Sequence, residues 1–78
     1  QEVCVIADAL RSNAVLTELD LFGNSLVGPN GAQALAEMLK VNATLKMLRL
    51  YDCGVGDEGV AHLAAALRLN ETLQELNL

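Results

Sequence analysis

The chain of 78 residues carries a net charge of −5 and is 53% hydrophobic but only 3% aromatic. So much apolar content excludes disorder, which requires low hydrophobicity, and five scattered basic residues exclude a nucleic-acid partner, because phosphate binding needs clustered Lys and Arg. No apolar run approaches the roughly 18 residues that span a bilayer, so no membrane partner is expected.

Val3, Ile6, Ala7 and Leu10 fall at i, i+3, i+4 and i+7, one apolar stripe of a helix. Next, Leu16-Thr17-Glu18-Leu19-Asp20-Leu21-Phe22-Gly23-Asn24-Ser25-Leu26 fits the pattern L-x-x-L-x-L-x-x-N-x-L at every specified place. A loop through Leu26-Val27-Gly28-Pro29-Asn30-Gly31 leads to a second stripe, Ala32, Leu35, Ala36 and Leu39. Pro29 suits a first helical position, where its missing N–H costs nothing. Leu45-Lys46-Met47-Leu48-Arg49-Leu50-Tyr51-Asp52-Cys53-Gly54-Val55 fits the same pattern, with Cys53 for Asn and Val55 for Leu. The third stripe is Val60, Leu63, Ala64 and Leu67, preceded by Asp57 and Glu58, which complement the positive end of a helix. Leu73-Gln74-Glu75-Leu76-Asn77-Leu78 then begins a third copy. Asn13, Asn42 and Asn70 each stand three residues before the first leucine of a copy. They are expected to stop each helix in the left-handed conformation that Asn tolerates.

The copies start at Leu16, Leu45 and Leu73, intervals of 29 and 28 residues. This is the signature of a leucine-rich repeat. It predicts an α/β solenoid, a short horseshoe arc with parallel strands on the concave face and helices on the convex face. Within each strand the leucines at the fourth and sixth places point the same way by the period-two rule, so Leu19, Leu48 and Leu76 should stack in one column. Residues 1–78 read as a single leucine-rich repeat segment of about three helix–strand repeats. Terminal repeats normally carry polar caps, and neither end shows one. The expectation is therefore a fragment of a longer array, or an end layer that self-associates with another copy.

The phrases Gly31-Ala32-Gln33-Ala34-Leu35-Ala36-Glu37-Met38-Leu39-Lys40-Val41-Asn42 and Asn70-Glu71-Thr72-Leu73-Gln74-Glu75-Leu76-Asn77-Leu78, with alternating Asn and Cys turns, carry a closer likeness. They resemble the ribonuclease-inhibitor-like class of leucine-rich repeats, and the N-x-T-L wording at Asn42–Leu45 and Asn70–Leu73 is most similar to NLR-type repeats. The resemblance implies an arc used for ligand sensing, autoinhibition or scaffolding. Fold-level analogy of this kind supports binding, not any specific partner.

Strand side chains that alternate with the leucine columns should face the concave side. Register sets Glu18 beside Met47 and Glu75, Asp20 beside Arg49 and Asn77, and Phe22 beside Tyr51. These eight residues are the expected protein-binding set. Phe22, Met47, Arg49 and Tyr51 form its sharpest part, because aromatics and Arg are enriched at binding hot spots. The plainer reading is a cross-strand ring stack with an exposed Asp20–Arg49 ion pair. Cys4 and Cys53 are too few for a disulfide framework and read as packing residues in a reduced setting. His62, the single histidine, reads as a surface residue. Asn42-Ala43-Thr44 and Asn70-Glu71-Thr72 fit the N-glycosylation acceptor pattern, yet both recur where the repeat places Asn for a structural reason.

No nucleophile elbow, phosphate-cradling loop or metal site appears, so no enzyme activity and no cofactor are expected. The sequence favours a protein-protein interaction module within a cytoplasmic receptor or scaffold. The alternatives are a Ran-type GTPase-activating regulatory repeat and a structural component of a large assembly.

Overall fold

The computed structural model describes residues 2–25 and 27–78. The expectation that Leu26 fills the last apolar place of the first copy lies outside them. Helices and strands alternate: α1 (Glu2–Leu10), β1 (Glu18–Asp20), α2 (Gly28–Leu39), β2 (Met47–Arg49), α3 (Gly56–Leu67) and β3 (Glu75–Asn77). The strands form one parallel sheet in the order β1-β2-β3. The register pairs Glu18 with Met47 and Glu75, Leu19 with Leu48 and Leu76, and Asp20 with Arg49 and Asn77. This is the arc expected from the repeat interval: α2 packs between α1 and α3 on one side, and β2 lies between β1 and β3 on the other.

The core occupies the space between the two layers. Leu45, Leu48 and Leu50 of the middle repeat are fully buried, together with Val27, Leu35, Met38, Leu39 and Cys53. Leu19, Leu21, Leu73 and Leu76 are partly buried and pack against that cluster from the neighbouring repeats. The leucine columns therefore exist as the period-two rule requires.

Turn chemistry follows the repeat as well. Gly23 and Asp52 occupy equivalent places after β1 and β2, and both have positive φ, 73° and 59°. Only a small polar or glycine residue adopts that conformation readily. Pro29 stands in the first turn of α2, and Asp57 and Glu58 in that of α3.

Two expectations are corrected. The first concerns the helix stripes. All of Ala32, Leu35, Ala36 and Leu39 on α2 are buried, but Ile6 on α1 and Val60, Ala64 and Leu67 on α3 are exposed. Apolar periodicity marks the face a helix offers, whereas burial depends on how many neighbours cover it. Among the described residues, only α2 has a helix on both sides. On α3 the buried set is instead Gly59, Leu63 and Ala66, the side turned toward α2 and the sheet.

The second concerns the asparagines. Asp52 is the one non-glycine residue with positive φ among the described residues, so Asn13, Asn42 and Asn70 do not end their helices in the left-handed conformation. Their side chains act instead. In each, Oδ1 accepts from the backbone N–H groups two and three residues on: Val15 and Leu16, Thr44 and Leu45, Thr72 and Leu73, at 2.7–2.9 Å. This is an Asx-type turn, in which the side chain substitutes for backbone acceptors. Asn42 Nδ2 also donates to Leu10 O (2.7 Å) and Asn13 O (3.2 Å) of the preceding repeat. Asn70 Nδ2 donates likewise to Leu39 O (2.8 Å) and Asn42 O (3.3 Å). Each asparagine after the first thus turns the chain into its strand and ties that turn to the repeat behind it.

Candidate functional site

Because β1, β2 and β3 are parallel and in register, side chains of one parity form straight rows across the sheet. One parity carries the leucine columns. The other carries Glu18–Met47–Glu75, then Asp20–Arg49–Asn77, and beyond the strand ends Phe22–Tyr51. All eight stand on the open side of the sheet: Met47 is half-buried and the other seven are exposed.

The rows hold specific contacts. The Phe22 and Tyr51 rings stack with centroids 5.5 Å apart and planes inclined by 6°. Phe22 remains 63% and Tyr51 59% exposed, so most of both rings is open to a partner. Arg49 bridges the outer strands: Nη1 lies 3.6 Å from Asp20 Oδ2, and Nε lies 3.4 Å from Glu75 Oε2. Asn77 Nδ2 donates to the same Glu75 oxygen at 3.1 Å. Surface ion pairs of this exposure contribute under about 1 kcal/mol each, so their effect is to hold the guanidinium in place more than to stabilise the fold. Asp20 has a second task, accepting from the Phe22 backbone N–H at 2.9 Å, which fixes the chain just before the ring.

Two shallow concavities lie side by side on this face. One, of about 650 Å³, is bounded by Asp20, Phe22, Arg49, Tyr51 and Asn77 with Leu76 and Leu78. The other, of about 470 Å³, is bounded by Glu18, Met47, Arg49 and Glu75 with Thr17, Lys46 and Gln74. Arg49 stands between them. The chemistry available is that of recognition: a rigid aromatic pair, an oriented guanidinium, carboxylates and an amide, open to a partner's surface.

Sequence reasoning brought the eight residues together and found the Asp20–Arg49 contact. It missed Glu75 as a second partner of Arg49, because register sets Asn77 directly opposite and the contact is diagonal. It also missed Thr17, Lys46 and Gln74 at the edge, because the alternation rule gives them the parity of the leucines.

The remaining candidates take structural places. Cys53 is buried, and its thiol donates to Leu21 O of the preceding repeat at 2.8 Å. His62 sits 3.9 Å from Glu58, one turn earlier on α3. Among the described residues, no group of three His, Cys, Asp or Glu is placed to hold a metal ion, and no helix is long and apolar enough to cross a membrane.

Stacked helix–strand units with leucine columns and an open strand face define a repeat-built interaction module. The family model for the leucine-rich repeat matches residues 12–36 and 41–64. The chain belongs to the leucine-rich repeat family, in its ribonuclease-inhibitor-like class. It is 41% identical over 70 residues to ribonuclease inhibitor from Sus scrofa, a match covering 88% of this chain and 15% of that protein. It is 47% identical over 63 residues to Ran GTPase-activating protein from Drosophila melanogaster, covering 78% and 10%. It is 40% identical over 65 residues to centrosomal protein of 78 kDa from Xenopus tropicalis, covering 83% and 9%. The chain thus spans 15% or less of the length of these relatives. Family membership makes this segment a non-enzymatic, protein-interaction module.

Proposed function

We propose that the segment binds a protein partner through the strand face, with Phe22, Met47, Arg49 and Tyr51 as the anchors and Glu18, Asp20, Glu75 and Asn77 as the polar surround, within a cytoplasmic receptor or scaffold. The observation that carries this reading is the exposed ring stack beside an Arg already held by two carboxylates. Aromatic and Arg side chains dominate interface energetics, and rigid ones lose little entropy on binding. The NLR-type wording of the strands favours a receptor or scaffold as the parent protein, and the repeat array is taken to continue beyond this segment.

The test compares proteins captured by the chain with those captured by Arg49→Ala/Tyr51→Ala and by a convex-side control, Glu37→Ala/Lys40→Ala. A hot-spot truncation costs about 2 kcal/mol or more. The double variant should therefore lose specific partners by a factor of about ten or more, with its melting temperature unchanged and the control unaffected. Equal capture by all three would reject the patch.

A second reading, regulation of a GTPase, is favoured by the 47% identity to the Ran GTPase-activating protein of Drosophila melanogaster. Acceleration of GTP hydrolysis by a Ran-type GTPase on adding the chain would select it over the scaffold.

A further inference from the structure

Asn42-Ala43-Thr44 and Asn70-Glu71-Thr72 both have the form of an N-glycan acceptor. Transfer of a glycan joins the asparagine Nδ2 to the first sugar carbon. It breaks that carbon's bond to the diphosphate of the lipid-linked oligosaccharide donor and releases one amide proton. The acceptor atom must therefore be reachable, and afterwards it carries a single hydrogen and a sugar.

In this fold neither condition holds at Asn42. The residue is 5% exposed, and both hydrogens of its Nδ2 are committed, to Leu10 O at 2.7 Å and Asn13 O at 3.2 Å. A sugar on that nitrogen would occupy the position of one of these carbonyls. The other face of the amide cannot turn outward in exchange, because Oδ1 holds the Thr44 and Leu45 N–H groups at 2.9 and 2.7 Å. Asn70, half-buried, repeats the bonding, with Nδ2 on Leu39 O and Asn42 O and Oδ1 on the Thr72 and Leu73 N–H groups. Even the threonine that completes the first acceptor motif is engaged, since Thr44 Oγ1 lies 3.2 Å from Leu16 O and 3.3 Å from Asn13 O.

We propose that N-glycosylation at Asn42 or Asn70 and the native repeat stack are mutually exclusive: the unfolded chain is an acceptor, the folded chain is not, and a glycan once attached prevents folding. The repeat joint thereby confines productive folding of this sequence to conditions where glycan transfer does not reach the nascent chain.

The test expresses the chain behind a cleaved secretion signal in mammalian cells. The same chain made in the cytosol serves for comparison, and so does secretory material made with an inhibitor of lipid-linked oligosaccharide synthesis. Mass spectrometry gives occupancy at both sites, and limited proteolysis reports folding. Glycosylated molecules should be cleaved about ten times faster or more than cytosolic ones, because cleavage tracks the open population, and the inhibitor should restore resistance. A core-breaking variant, Leu48→Ala, should be occupied at both sites. Molecules carrying a glycan at Asn42 that resist protease as well as the cytosolic chain would overturn the proposal, and so would a Leu48→Ala chain that is unfolded in the secretory pathway yet unmodified.

Discussion

Asn42 concentrates more of the inter-repeat bonding than any apolar residue can, because one amide satisfies two carbonyls of the repeat behind and two N–H groups of its own strand entry. Removing a buried partner leaves those groups unsatisfied, at about 1–3 kcal/mol for each that water cannot reach. Asn42→Ala should therefore destabilise the chain by about 2–4 kcal/mol in a urea titration. Asn42→Asp is the sharper variant. It keeps the acceptor and loses the donor, so it should also destabilise, which isolates the joint between repeats from the turn within one. Asn13 is exposed, and its Oδ1 serves only its own turn, so Asn13→Ala should cost about 1 kcal/mol or less, as for a lost neutral hydrogen bond in water. An Asn42→Ala cost no larger than that of Asn13→Ala would refute the joint. The sequence displayed these asparagines at their interval but not their mode of action. An Asn after a helix can stop it through a left-handed backbone or through its side chain, and the residue type is the same in both cases. The threonine two places on, recurring as Thr44 and Thr72, was the available signal for the side-chain mode.

At the scale of elements, the closeness of α2 and α3 rests on Gly59. A methyl group built there would lie 2.5 Å from Val55 Cγ1 and 2.9 Å from Ala32 Cβ on α2. Intrinsic propensity argues the other way, since Ala is favoured over Gly inside a helix by about 1 kcal/mol. Overpacking costs about 1–3 kcal/mol, and both contacts here are with buried groups that have little room to yield. Gly59→Ala should therefore lower the thermal midpoint despite its better helix propensity, and a raised midpoint would show that the helices can separate without loss. The close approach was not readable from the apolar stripe. That stripe named Val60, Ala64 and Leu67, which are exposed, and did not include Gly59. A 3.6-residue period finds the apolar side of a helix, but which part of that side meets a neighbour depends on the stacking direction, and no local pattern carries that. Strands were more legible. Their period of two and the fixed repeat interval together specify register, and so the rows of the candidate site down to the Phe22–Tyr51 stack. Glu75 escaped because a long arginine reaches past its register partner.

At the scale of the whole stack, the middle layer of residues 1–78 has neighbours on both sides within this segment, and each outer layer has one among the described residues. Leu48 on β2 is fully buried, whereas its column partners Leu19 and Leu76 are only partly covered. In a repeat stack, stability is roughly the sum of each layer's own contribution and its interfaces with adjacent layers. A cavity at Leu48 weakens two interfaces, and one at Leu76 weakens one. Leu-to-Ala changes in cores cost about 2–5 kcal/mol, against a total stability of about 4–12 kcal/mol for a chain of this length. Leu48→Ala should therefore fall near the upper end of that range and remove about 40% or more of the chain's stability. Leu76→Ala should fall at or below the lower end and leave it folded, as followed by circular dichroism through a denaturant titration. The comparison also bears on the strand face. Asp20, Arg49 and Tyr51 are positioned only because the leucines between them hold the strands in register, so Leu48→Ala should weaken partner binding and stability together, while Tyr51→Ala weakens binding alone. Equal destabilisation by the two leucine variants would mean that the layers do not share their stability through nearest neighbours, and the strand face would then have no single middle layer to anchor it.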